Sequence, residues 1–195
     1  HSALMREFAE VANDHLDLIT PTVRHTVMKS AHFFEKGEHN EIMKDILAGL
    51  KALPKFDYTG KRIVLSGITA EPAELLDIFA ENHMAVVGDD LGQETRLYRT
   101  DIPAKGASPI RRLALQWNAR EGCCLAHEDY KKRGELLVDL CKKTGATGVV
   151  YCQMKFCDPE EWDYPICARA LRAEGIQVLQ LEIDQQDASY EQART

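Results

Sequence analysis

The sequence predicts an α/β fold: a flavodoxin-like or Rossmann-like four-stranded parallel sheet with flanking helices, preceded by an N-terminal helical segment. Three observations predict it. Four short apolar runs, KRIVLSG (61–67), MAVVGDD (84–90), TGVVYCQM (147–154) and IQVLQLEI (176–183), recur along residues 56–195. Helical patterns separate them, and strands that alternate with helices form a parallel sheet with right-handed crossovers. Three of the runs are almost purely apolar, as strands are when both faces of a sheet are covered.

The elements follow in order. Leu4, Phe8, Val11 and Leu16 recur at helical spacing. Thr20-Pro21 has the form of an N-cap followed by Pro in the first turn. Val23, Val27, Ala31 and Phe34 continue one face, and Gly37 breaks that helix. Ile42, Ile46, Leu50 and Leu53 mark a third helix, ended by Pro54. Residues 1–55 therefore read as a helical segment at the edge of a preceding domain, and 56–195 as the α/β domain. EPAELLDIFAEN (71–82) is a helix with Leu75, Ile78 and Phe79 on one face. Further helices are expected over about 108–120, 127–144 and 159–174, the last with a second start at Pro165 and a C-cap at Gly175.

Composition excludes several classes. The 195 residues carry 24 basic and 31 acidic side chains, a net charge of −7, with the cations scattered. A nucleic-acid surface needs a concentrated basic face. No apolar run approaches the roughly 18 residues of a membrane span. The start, HSALMREFAEVAND, is charged and lacks the apolar stretch of a secretory signal, so a cytoplasmic location is expected. The six cysteines are then expected as thiols. No two Cys-x-x-Cys pairs mark a zinc site. His1 at one end and QART at the other suit a piece of a longer protein.

The site follows from topology. A strand order of 2-1-3-4 puts the switch point between the first and third strands, where open sheets bind ligands. The trailing loops are SGITAEP (66–72) and MKFCDPEE (154–161), which bring Cys157 beside Gly67. Asp158 can cap the next helix, Pro159 suits its first turn, and Glu161 has capping-box spacing. The positive end of that helix favours a thiolate at Cys157, partly opposed by Asp158, Glu160 and Glu161. Cys157 can be a small buried residue, a nucleophile or a ligand. Cys152, Cys141 and Cys167 read as core. Cys123-Cys124 with His127 offers metal donors but lacks a fourth. Asp89-Asp90 can bind a ribose, a metal or a basic partner, or cap a turn. Glu71 is similarly open. There is no Walker A sequence, no G-x-G-x-x-G and no Ser/His/Asp set.

The stretch GVVYCQMKFCDPEEWDYP resembles the third-strand region of the 2-hydroxyacyl-CoA dehydratase family, which also contains benzoyl-CoA reductase subunits. The likeness centres on Met154 to Glu161 and continues through Asp163-Tyr164-Pro165. Lys61-Arg62-Ile63 before Ser66-Gly67, Asp89-Asp90, Leu181-Glu182 with Asp184, and Gln192-x-Arg194-Thr195 also match. The resemblance implies a longer subunit paired with a related second subunit. It implies a 4Fe–4S cluster held by three cysteines, of which Cys157 is one, and an acyl-CoA substrate. It implies an ATP-hydrolysing activator that injects one electron, after which water leaves a 2-hydroxyacyl-CoA to give an enoyl-CoA. The resemblance places two of the three cluster cysteines in an N-terminal domain, and residues 1–55 contain no cysteine, so residues 1–195 alone are expected neither to hold the cluster nor to turn over. A benzoyl-CoA reductase-type subunit is an alternative within the family. A flavodoxin-like binding or docking module without redox chemistry, with Cys157 structural, is an alternative outside it.

Overall fold

The computed structural model describes residues 1–125, 131–184 and 190. Three helices come first: α1 (Ser2–Val11), followed by a 3-10 turn over Ala12–Asp14, then α2 (Pro21–Ser30) and α3 (Lys36–Ala52). Thr20 caps α2 by accepting from the Val23 N–H, and the Glu35 carboxylate caps α3 by accepting from Gly37 and Glu38 N–H. Met5, Phe8, Met28, Met43 and Leu47 form their shared core.

Two expectations for α2 need correction. It buries Pro21, Arg24 and Met28, while Val23 and Phe34 are exposed. Arg24 turns inward because it finds partners there: Nη1 donates to the Ala9 carbonyl at 3.2 Å and Nη2 lies 3.6 Å from the Asp89 carboxylate. The helix also ends at Ser30, and Gly37 lies in the first turn of α3.

The remaining elements are β1 (Lys61–Gly67), α4 (Ala73–Glu81), β2 (Met84–Leu91), α5 (Thr95–Tyr98), α6 (Pro109–Asn118), α7 (Arg133–Thr144), β3 (Gly148–Met154), α8 (Asp158–Ala173) and β4 (Gln177–Ile183). The strands pair in parallel in the order β2-β1-β3-β4, as the sequence predicts. Val64, Val149, Leu137 and Leu171 pack one face of the sheet against α7 and α8. Leu65, Val150, Leu75 and Phe79 pack the other against α4. Each such side chain contributes about 1.5–3 kcal/mol by leaving water.

Two glycines allow close approach at the carboxyl ends of the strands. Gly67 has φ +152°, and a Cβ there would lie 2.2 Å from the Cys152 carbonyl oxygen. At Gly134 a Cβ would come within 2.9 Å of the Ala170 Cβ, so α7 packs tightly on α8. Helix α7 begins at Arg133; the earlier start near 127 lies outside the described residues. Pro165 sits inside α8 without ending it. Among the described residues no helix is long and apolar enough to cross a membrane.

Candidate functional site

One row of the sheet organises the switch point. Asp90 of β2, Ser66 of β1 and Tyr151 of β3 stand in register across three strands. Arg133, the first residue of α7, reaches all three. Its Nε donates to Asp90 Oδ2 at 2.8 Å, Nη2 to Ser66 Oγ at 3.0 Å, and Nη1 to the Tyr151 hydroxyl at 2.9 Å. Nη1 also donates to Glu160 Oε1 at 2.7 Å, in the first turn of α8. All of these residues are buried. A buried charge is tolerated when it is paired and hydrogen-bonded, and this one is.

Asp90 is the matching anion. It accepts from Arg96 Nε at 3.1 Å and Nη2 at 2.8 Å, from Arg99 Nη1 at 2.7 Å, and from Ser66 Oγ at 3.3 Å. Burial alone would raise its proton affinity. The guanidinium groups of Arg96, Arg133 and Arg99 outweigh burial and hold the carboxyl well below the usual range. Asp89, one residue earlier, caps the following turn by accepting from the Leu91 and Thr95 N–H groups. Of the readings open for this pair, Asp90 takes the basic partner and Asp89 the turn.

Cys157 lies at the N-cap of α8, beyond the end of β3. The cap lies one residue before the expected Asp158, and no side chain completes it. Its backbone closes the turn instead: Cys157 N–H donates to Met154 O at 3.2 Å, and Cys157 O accepts from Glu161 N–H at 3.0 Å. Phe156 before it has φ +64° and is 92% exposed. A bulky residue in that region is strained, and such strain clusters at functional sites. Cys157 is partly exposed, whereas the other five cysteines are buried. Burial pushes the Cys141 thiol up to about 11 and those of Cys152 and Cys167 up to about 12. These three are core residues, as expected.

Cys124 joins the same network. Its thiol donates to Glu160 Oε1 at 2.8 Å, and Cys123, burial and the Glu160 carboxylate together keep it protonated. His127 lies outside the described residues. Glu71 belongs to a second cluster. It lies 3.3 Å from His25 Nε2 and pairs with Lys29, while His25 Nδ1 lies 2.6 Å from Glu94. Burial and the Asp89 carboxylate raise the proton affinity of Glu94. A cavity of about 710 Å³ opens elsewhere, between α1, β2 and α7, against Met5, Asn13, Val87 and Leu140; Cys157 is not on its wall.

The model of the family described as 2-hydroxyglutaryl-CoA dehydratase, D-component, matches residues 1–195. The chain belongs to the 2-hydroxyglutaryl-CoA dehydratase D-component family. Relatives in this family include the lactoyl-CoA dehydratase subunit beta of Anaerotignum propionicum, 43% identical over 99% of this chain. The (R)-phenyllactyl-CoA dehydratase beta subunit of Clostridium sporogenes is 40% identical over 100% of it. The (R)-2-hydroxyglutaryl-CoA dehydratase, subunit beta, of Acidaminococcus fermentans is 34% identical over 99%. The match covers 52% of each relative, so the chain spans about half the length of the curated relatives it matches.

A cluster that this dehydratase family implies can be tested against the donors present. Among the described residues no group of three or more His, Cys, Asp or Glu side chains could hold a metal ion. Cys157 offers an accessible thiol, and the other cysteines are buried in the core or in the Glu160 network. The described residues therefore do not fit a complete iron–sulfur cluster. The residues that sequence reasoning missed are Arg133, Glu160 and Tyr151. Arg133 stands in a Lys-Lys-Arg run that reads as solvated surface, and Glu160 in an acidic first turn that reads as helix-end charge.

Proposed function

We propose that this chain is part of a beta-type subunit of a 2-hydroxyacyl-CoA dehydratase, an enzyme that removes water from a 2-hydroxyacyl-CoA to give an enoyl-CoA. The observation that carries this reading is 34–43% identity, over at least 99% of the chain, to three proteins named as beta subunits of such dehydratases. Cys157 supports it as a partly exposed thiol on a rigid strand-to-helix junction at the switch point. In this reading Cys157 supplies one thiolate ligand to a 4Fe–4S cluster, and the other ligands come from outside the described residues. The chain's own part is to hold that thiol still. The Arg133–Glu160 pair fixes the first turn of α8 to the ends of β1, β2 and β3, and the Cys157 backbone closes the same turn.

The reading carries a related second subunit, an ATP-hydrolysing activator and an acyl-CoA substrate as partners, and a cytoplasmic location. It also takes residues 1–55 as the edge of a preceding domain and 56–195 as a flavodoxin-like domain. The test uses the full-length parent, purified without oxygen together with its co-encoded second subunit. Iron content and the low-temperature EPR spectrum of the reduced protein are compared between wild type and Cys157→Ser. A lost or altered cluster signal is expected in the variant. An unchanged spectrum removes Cys157 from the ligand set, and a wild type without iron overturns the dehydratase reading. Lactoyl-CoA, phenyllactyl-CoA and 2-hydroxyglutaryl-CoA, offered with activator and ATP, then identify the substrate by enoyl-CoA formation.

A further inference from the structure

Charged side chains fasten α2 to the loops beyond β1 and β2. His25, Lys29 and His32 recur at i, i+4 and i+7, so they share one side of the helix and its continuation. His25 Nδ1 lies 2.6 Å from Glu94 Oε1, and its Nε2 lies 3.3 Å from Glu71 Oε1. Lys29 pairs with the same Glu71 oxygen. His32 Nε2 donates to the Gln93 carbonyl at 2.9 Å. Arg24, beside this stripe, faces Asp89. From α4, Asp77 accepts from the Thr22 hydroxyl. Glu71 follows β1, and Gln93 and Glu94 follow β2, so α2 grips the loops of two neighbouring strands at once.

Hydrogen-bond chemistry fixes how many protons this seam needs. A carboxylate only accepts, and a neutral imidazole has one N–H to give. Both ring nitrogens of His25 face carboxylate oxygens. With a neutral ring and two carboxylates, one nitrogen lone pair would be turned on an anionic oxygen. One more proton removes the conflict. Whether it sits on the ring or on Glu94, a hydrogen then lies in each contact. Charge gives the same count: Arg24, Lys29 and this proton balance Glu71, Asp89 and Glu94. Burial and the Asp89 carboxylate raise the proton affinity of Glu94, which is itself buried, and outweigh the opposing His25 contact.

We infer that the Glu71–His25–Glu94 seam is a proton-locked clasp, which holds α2 on the loops beyond β1 and β2 while it carries this one proton and loosens when the proton leaves. The sign follows from Glu94. It holds a proton more tightly in the folded chain than an ordinary glutamate does, so that contribution is present at low pH and is lost as pH rises through the folded value. The clasp acts on the loop that leaves Gly67 at the switch point, because Glu71 lies four residues beyond it. Every group in the clasp belongs to this chain, so the inference stands apart from the function proposed above.

The test uses the full-length subunit. Amide protection over α2 is measured by hydrogen exchange at pH 5 and pH 8, corrected for intrinsic rates. In wild type it is expected to fall about tenfold between the two, while protection over α7 stays level. Glu94→Gln offers the ring an amide N–H in place of the proton, so its α2 is expected to stay protected at both pH values. Equal protection of α2 at both pH values in wild type overturns the inference. So does a fall that α7 shares in full, or a fall that persists in Glu94→Gln. A second measurement needs no folded Glu94 variant. The nitrogen-15 shifts of the His25 ring, assigned by their loss in His25→Gln, are expected to move over the same pH range as the protection of α2. A shift change without loss of protection, or a loss without a shift change, also overturns it.

Discussion

The row beneath Arg133 and the face of α6 both invert the usual placement of residues, in opposite senses. The first buries charge, and the second exposes apolar surface. At the strand ends the inversion is closed within the chain: Asp90 and Glu160 receive the guanidinium groups of Arg96, Arg99 and Arg133, and Ser66 and Tyr151 take the remaining donors. On α6 the described residues supply no such closure for Ile110, Leu113 and Trp117. The difference teaches how to read an inverted pattern. Where the partners are present, the inversion is architecture; where the described residues supply none, the face stays exposed.

This contrast can be broken by substitution, beginning where the effect is largest. Arg133→Met leaves Glu160 buried without its cation and Asp90 with one fewer. It is expected to cost about 3–5 kcal/mol in urea unfolding; a loss below about 1 kcal/mol would mean that water already relieves the network. The next test is pH. Asp90 titrates lower in the folded chain than the ordinary carboxylate value of about 3.9. As pH falls, the unfolded chain takes up that proton first, so the stability present above about pH 4 drains away below it. Denaturation midpoints at pH 5, 4 and 3 are expected to fall more steeply in wild type than in Asp90→Asn, and parallel slopes would refute the assignment. Cys124→Ala removes one thiol bond to Glu160 and is expected to cost about 1 kcal/mol. Leu113→Asp, in the subunit without its partner, is expected to stay within about 0.5 kcal/mol of wild type. A large loss there would show that α6 packs against its own chain.

Much of the fold was legible because strand patterns depend on local chemistry. The β-branched runs at 61–67 and 147–154 announce their strands, and the order 2-1-3-4 expected of an open parallel sheet is the order observed. The same reasoning brought Cys157 to the switch point and put Cys141, Cys152 and Cys167 in the core. The cap of α8 was misplaced by one residue, since Asp158 enters the helix and the Cys157 backbone closes the turn. Arg24 and Arg133 could not be read at all. Each is buried by partners distant in sequence, Asp89 for the first and Asp90 with Glu160 for the second. Periodicity records where oil belongs and is silent on which cation is swallowed.

Arg133 has a consequence for any visitor to the crevice. In an open parallel sheet the gap beyond the first and third strands is where a phosphate or a cofactor ordinarily settles. Here the chain has seated its own guanidinium there, braced on Ser66, Tyr151 and Asp90. The berth is taken before any ligand arrives. Whatever enters between β1 and β3 therefore meets a cation whose donors are already engaged.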